Sequence, residues 1–170
     1  RDPGKSEGVF APYSQSLRLE LYHQHIDRLV DAGYVYHCYC SPDRLTEMRK
    51  KQMEQKQPPM YDRRCRHLTA PERAKIEAEN TTKVVRFKTP LSGHTEFNDI
   101  IRGKINVANA TLDDFILLKS DGYPTYHLAN VVDDHYMEIT HVMRADEWLA
   151  STPRHKLLYG ALGWQPPIFA

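Results

Sequence analysis

The three cysteines of this chain fall into one pattern, Cys38-Tyr-Cys40 followed after twenty-four residues by Cys65-Arg-His67. The members of each pair are i and i+2, so on extended backbone both side chains project to the same side. Two such pairs brought together supply the four ligands of a tetrahedral Zn2+ site. Thiolates and an imidazole select zinc over Mg2+ or Ca2+, and a closed Cys3His shell leaves no open position for chemistry, so the expected role is structural. On this reading residues 38–40 fold against residues 65–67. Two other readings of the same residues stay open: buried free cysteines with a surface histidine, and a disulfide that would leave an odd thiol. Tyr61, four residues before Cys65, is an alternative fourth ligand to His67.

The densest run of residues able to hold a ligand is Asp121 to Trp148, DGYPTYHLANVVDDHYMEITHVMRADEW. A helix from about Thr125 brings Tyr126, Asn130 and Asp133 to one side, while Leu128, Val131 and Val132 point toward a core. The apolar run from Ile139 to Met143 suits a buried strand. Arg144, Asp146, Glu147 and Trp148 follow at its carboxyl end, where open α/β sheets bind ligands.

Elsewhere the signals are local. Ser14-Gln-Ser offers caps for a helix carrying Leu17, Leu21, Ile26, Leu29 and Val30, with Gly33 as its stop. Tyr34 to Cys40 is aromatic and β-branched enough for a strand. Ser41-Pro42 opens a second helix, and Thr69 with Glu72 forms a capping box for a third. KVVRFK, HTEFNDIIRGKINVAN and DFILLK are expected to form short strands of a small β-rich inserted unit. Ser120-Asp121-Gly122 turns the chain, and Ser151-Thr-Pro begins a last helix carrying His155, Leu158 and Leu162, stopped by Gly163.

With 170 residues, 41% of them hydrophobic and 26% charged, the chain can bury a core of one or two small domains. No apolar run approaches the roughly 20 residues that span a bilayer. The start, RDPGKSEG, has no signal-like apolar core, so a cytoplasmic setting is expected. It lacks an initiator Met and ends in WQPPIFA, as an internal piece of a longer protein would. The net charge of +1 conceals an asymmetry: nine Lys/Arg against five Asp/Glu from Asp43 to Arg73, but eight acidic against two basic residues from Asp113 to Glu147. Such halves fit a polyanion on one side and an amine or a metal on the other, although ordinary solvated surface explains the charge equally well.

Taken together, YPTYHLANVVDDHYMEITHVMRADEWLASTPRHKLLYGALGW resembles the second half of the nucleotide-binding fold in class I glutamyl-tRNA synthetases. YSQSLRLELYHQHIDRLVDAGYVYHCYCSPDRL, followed by PPMYDRRCRH, resembles the same enzymes as they enter an inserted acceptor-binding domain. The resemblance implies an α/β chain, part of a class I Rossmann-like fold interrupted by an inserted α+β domain with a zinc site. Residues 1–33 would end the first half of the catalytic domain, 34–124 would form the insertion, and 125–170 would begin the second half.

It also implies roles. Tyr126, Asn130 and Arg144 match residues that hold L-glutamate, and Glu147 and Trp148 match positions at the ATP pocket. Cys38, Cys40, Cys65 and His67 match the zinc site of some members. Arg64, Lys119, Ser120 and Asp121 are expected on the tRNA side, with Arg49, Lys50, Arg63 and Arg66 available to phosphates. The family reaction uses Mg-ATP to make a glutamyl adenylate and then charges the terminal ribose of tRNA(Glu); the complete enzyme is expected to be a monomer. The HIGH-like and KMSKS-like signatures that drive it do not occur in these residues, so the isolated chain is expected to be inactive. The alternatives are a paralogue that glutamylates a modified base in tRNA(Asp), whose zinc site uses a Tyr four before a Cys, a glutaminyl enzyme, and a zinc-stabilised RNA-binding module without chemistry.

Overall fold

A computed structural model of the chain describes residues 8–79 and 82–170; the leaderless reading of the first seven residues lies outside them. Helix α1 (Leu19–Asp31) buries Tyr22, His25, Ile26 and Leu29, the stripe expected of 3.6-residue periodicity. Ser14 does not cap it. Residues Gln15–Leu17 form a separate 3-10 turn in which Leu17 is exposed, and Val30, near the other end of α1, is exposed as well rather than in the core. Gly33 adopts a left-handed φ of 74° and ends the helix, with the Tyr34 amide donating back to the Leu29 carbonyl.

Strand β1 (Val35–Cys38) leads into α2 (Pro42–Glu54), where Ser41 Oγ accepts from the Arg44 amide and Pro42 occupies the first turn. Helix α3 (Ala70–Glu79) has the reciprocal capping box: Glu72 accepts from the Thr69 amide at 2.7 Å, and Thr69 Oγ1 accepts from the Glu72 amide at 3.4 Å. Then come β2 (Val84–Phe87), β3 (His94–Asp99), β4 (Gly103–Ala108), β5 (Ile116–Leu118), α4 (Tyr126–Tyr136), β6 (His141–Val142), α5 (Thr152–Leu162) and β7 (Ile168–Phe169).

The strands form two sheets, β1-β2-β5 and β4-β3-β7-β6. The first is antiparallel, with Val35 opposite Phe87, Tyr36 opposite Arg86 and Cys38 opposite Val84. Alternation gives it two working faces. Val35, Val85 and Phe87 enter the main core with Leu29 of α1, Leu128, Val131 and Val132 of α4, and Leu158 of α5. Tyr36 and Cys38 turn to a second, smaller cluster with Tyr39, Tyr61 and Cys65. Burying each of the large α4 aliphatics contributes about 1.5–3 kcal/mol. The main core draws on residues from all three expected segments.

In the second sheet β7 lies between β3 and β6 and runs parallel to both. The run Ile139–Met143 is not the expected buried strand. Only His141 and Val142 pair, at a sheet edge, and Ile139 and Met143 are exposed. Among the described residues no helix is long and apolar enough to cross a membrane.

Candidate functional site

The α4 helix is set by Thr125, whose amide donates to the Leu117 carbonyl and whose hydroxyl donates to the Ile116 carbonyl, docking the helix start on β5. With Leu128, Val131 and Val132 inward, Tyr126 and Asn130 face a cavity of about 390 Å3, a size suited to a small molecule. Arg144, Trp148, Thr152 and His155 line its other walls. The Tyr126 and Trp148 rings are 5.0 Å apart and tilted, and Tyr126 is half exposed.

Arg144 is held at several points. Its Nε donates to Thr152 Oγ1 at 2.8 Å, and Nη1 donates to Asp99 Oδ2 at 2.9 Å and to the Ala170 carbonyl at 3.0 Å. The guanidinium also lies 5.3 Å from the Phe169 ring centre. Nη2 is buried and has no partner. A fixed fork with one unused donor is a group prepared for an acceptor such as a carboxylate. Among the described residues Arg144 forms no ion pair with Asp146 or Glu147; Asp146 pairs with Arg102.

Asp99 was not foreseen as part of the site. Its Oδ1 accepts from the amides of Ile101 and Arg102 in the β3–β4 turn, which aims Oδ2 at Arg144. The signal was present in HTEFND, whose alternation puts Thr95, Phe97 and Asp99 on the buried face of β3. His155 was likewise read only as a helix residue. It forms the cavity floor with Nε2 3.1 Å from His127 Nδ1. Burial pushes His155 down to about 3, helped by His127, and pushes His127 down to about 4, so the floor is neutral imidazole. Asp134, beside Asn130, is pushed up to about 6 by burial and then by neighbouring Asp133.

Two expected members are placed elsewhere. Asp133 is turned to α1, accepting from Arg18 Nε at 2.8 Å and from the Tyr22 hydroxyl at 2.8 Å, because the buried Arg18 needs its charge matched. Glu147 is exposed in the 3-10 turn Asp146–Ser151 and does not line the cavity, whereas Trp148 of the same turn does.

The second cluster gathers the cysteines. Among the described residues Cys38, Cys40 and Cys65 bring their sulfurs within 4.8 Å of one another, with Cys40 and Cys65 3.6 Å apart. Sulfurs sharing one zinc at about 2.3 Å lie roughly 3.8 Å apart, so the set fits that ion. His67 is exposed and outside the group. Residues Arg64–His67 form a 3-10 turn rather than a strand, and at about 120° per residue an i, i+2 pair diverges. The Tyr61 hydroxyl adjoins the group, 3.3 Å from both the Cys38 and Cys40 sulfurs, and accepts from the Cys65 amide at 3.1 Å. Hydrogen bonds from Cys40 and Cys65 hold the Cys38 thiol far below its ordinary range, while Cys40 is pushed up. The free-cysteine reading survives only in part and the disulfide does not form: the three thiols are free but clustered.

The family model for class I tRNA synthetases (E and Q), catalytic domain, matches residues 5–170. The chain belongs to that family. It is 53% identical over 163 residues to the glutamate–tRNA ligase of Dehalococcoides mccartyi, covering 96% of this chain and 32% of that protein. It is 51% identical over 170 residues to the ligase of Treponema pallidum, covering 99% and 32%. The chain thus spans about a third of the length of these curated relatives. In structure it is similar to the glutamate–tRNA synthetase of Elizabethkingia anophelis, with a TM-score of 0.91 at 42% identity, covering 98% of this chain and 35% of the other. A second solved chain, the glutamate–tRNA ligase of Elizabethkingia meningosepticum in complex with its amino acid, gives a TM-score of 0.90 at the same identity and coverage.

In this synthetase chain the basic residues divide into two kinds. Arg63 and Arg66 are not free for phosphates: both bind the fully buried carboxylate of Asp114, at 3.2 and 3.1 Å. Arg49, Lys50 and Arg64 are exposed. Lys119, Ser120 and Asp121 form an exposed turn closed by a Lys119–Asp121 ion pair at 3.0 Å, with the Gly122 carbonyl 2.7 Å from His23 Nε2.

Proposed function

We propose that the chain is an internal part of a glutamate–tRNA ligase and supplies one wall of its amino-acid pocket together with the insertion that meets the tRNA acceptor end. The observation that carries the reading is Arg144: a guanidinium clamped by Asp99 and Thr152, with Nη2 buried and unpaired, in the wall of a cavity that Tyr126 and Asn130 also line. A ligand carboxylate supplies the missing acceptor. Tyr126 and Asn130 orient the substrate, and Trp148 borders the nucleotide, with Glu147 near it. These groups position a carboxylate for attack on the α-phosphate of Mg-bound ATP; they do not themselves exchange protons with it. A ligand that leaves Arg144 unpaired binds poorly, which is how such a pocket selects its substrate.

Residues 34–124 are the inserted domain in this reading, flanked by the two parts of the Rossmann-like domain. Zinc, held by Cys38, Cys40, Cys65 and Tyr61 in place of His67, supplies a cross-link between strand and loop and no chemistry. Exposed Arg64, Lys119, Ser120 and Asp121 face the tRNA. Tyr61 favours a second reading, the paralogue that modifies tRNA(Asp), because that enzyme's zinc site uses a Tyr in this position. The identity of 51–53% to glutamate–tRNA ligases along nearly the whole chain weighs for the ligase.

The test is calorimetric titration of glutamate into the full-length protein and its Arg144→Lys variant. A lysine keeps the charge but loses the fork, so affinity should fall about ten- to a hundredfold. Equal affinities would remove Arg144 from the pocket. The 170-residue chain alone should show no ATP–pyrophosphate exchange.

A further inference from the structure

Arg86 is the most deeply buried cation in the described structure that lacks a carboxylate. It is 3% exposed, and among the described residues it forms no salt bridge. Nη1 donates to the Asp114 carbonyl at 2.8 Å, while Nε and Nη2 have no partner. Its Cζ lies 4.0 Å from the centre of the Tyr61 ring. A buried guanidinium with only a carbonyl and a ring beside it is unfavourable unless a negative charge stands close.

The neighbouring carboxylates are committed. Asp114 takes Arg63, Arg66, the Tyr36 hydroxyl and the Thr89 amide, and Asp113 accepts from the Tyr61 amide. The remaining source is the sulfur cluster. The strand register sets Arg86 opposite Tyr36 and Val84 opposite Cys38, so Arg86 and Cys38 are diagonal neighbours on one face of the β1–β2 pair. The Tyr61 ring that Arg86 covers carries the hydroxyl that touches Cys38 and Cys40.

Three thiolates around one dication, with a neutral fourth ligand, leave a net charge of −1. We infer that Arg86 is the counter-charge of a metal–thiolate centre, a positioning residue that touches no metal but sets how tightly the three cysteines hold it. The inference rests on the zinc reading proposed above and adds a residue to it. The net negative charge of the loaded centre matches the single positive charge of Arg86.

Zinc affinity of the full chain, measured by competition with a chromogenic chelator, tests this with two variants. Arg86→Gln keeps a donor for the Asp114 carbonyl but removes the charge, and should weaken zinc binding at least about tenfold. Arg86→Lys keeps the charge and should stay within about threefold of the parent. Circular dichroism of the metal-free forms reports folding, and the Co2+ charge-transfer band reports whether the three sulfurs still bind. Parent chain that takes up no zinc sinks the metal reading itself. Parent chain that binds zinc while Arg86→Gln binds it equally overturns the role of Arg86 alone. So does Arg86→Lys, folded and with its cobalt band intact, losing affinity by tenfold or more. That last measurement decides the matter even where the Gln variant does not fold.

Discussion

At the scale of single residues, the spacing of ligand types was more legible than their geometry. Cys38 and Cys40 lie at i, i+2 at the end of a strand, and their sulfurs meet as alternation requires. The same spacing misled at Cys65 and His67, because Arg63 takes a left-handed φ of 57° and the chain turns into a 3-10 helix there. Nothing in RRCRH announces that conformation. It follows from Asp114, forty-eight residues beyond Arg66, which draws Arg63 and Arg66 to one buried carboxylate. The consequence is measurable: His67→Ala should leave zinc stoichiometry and affinity unchanged, and Tyr61→Phe should weaken binding by about tenfold through loss of one ligand. Metal analysis with chelator competition reads both; a loss confined to His67→Ala would restore the histidine to the site. Asp99 teaches the converse lesson. Its burial was readable from strand alternation, but its partner Arg144 was not.

At the scale of elements, what was legible was what is local. Ser41-Pro42, the Thr69–Glu72 box and Gly163 mark ends of α2, α3 and α5 because capping is settled within four residues. The inward face of α4 was equally plain, since Leu128, Val131 and Val132 satisfy one helical stripe. Leu128→Ala removes a fully buried side chain where α4 packs on β5 and α5, and should cost about 2–5 kcal/mol. Urea unfolding checks this; a cost below about 1 kcal/mol would mean that the site collapses freely around the missing atoms. Strand β6 was misjudged because its length depends on β7, twenty-six residues later, which offers only Ile168 and Phe169 for pairing. Asp133 failed for a similar reason: a helical projection shows which side it occupies but not that Arg18 waits there.

At the scale of the whole molecule, buried histidines make the fold sensitive to acid. His25 is pushed down to about 4 by burial, then by Arg28 and His135, and keeps one hydrogen bond, to Tyr136 at 3.0 Å. His127 and His155 sit at about 4 and 3 for the reasons given above. All three lie below the ordinary 6.5, so between about pH 6.5 and 4 the unfolded chain takes up protons that the folded chain refuses, and stability falls as pH falls. Asp134 acts in the opposite sense. Raised to about 6, it is protonated in the folded chain before it is in the unfolded one, so acidification through pH 6 relieves a cost that is present at neutrality. Three groups against one make the net change from pH 6.5 to 4 a loss of stability. Urea midpoints at pH 7 and 4.5 measure it, and His155→Gln should flatten the difference by removing the most strongly depressed member. A midpoint that rises on acidification would mean that Asp134 outweighs the histidines. Because His155 lines the same cavity as Tyr126, Asn130 and Arg144, its titration reaches the site: acid that charges this floor sets a second cation beside Arg144.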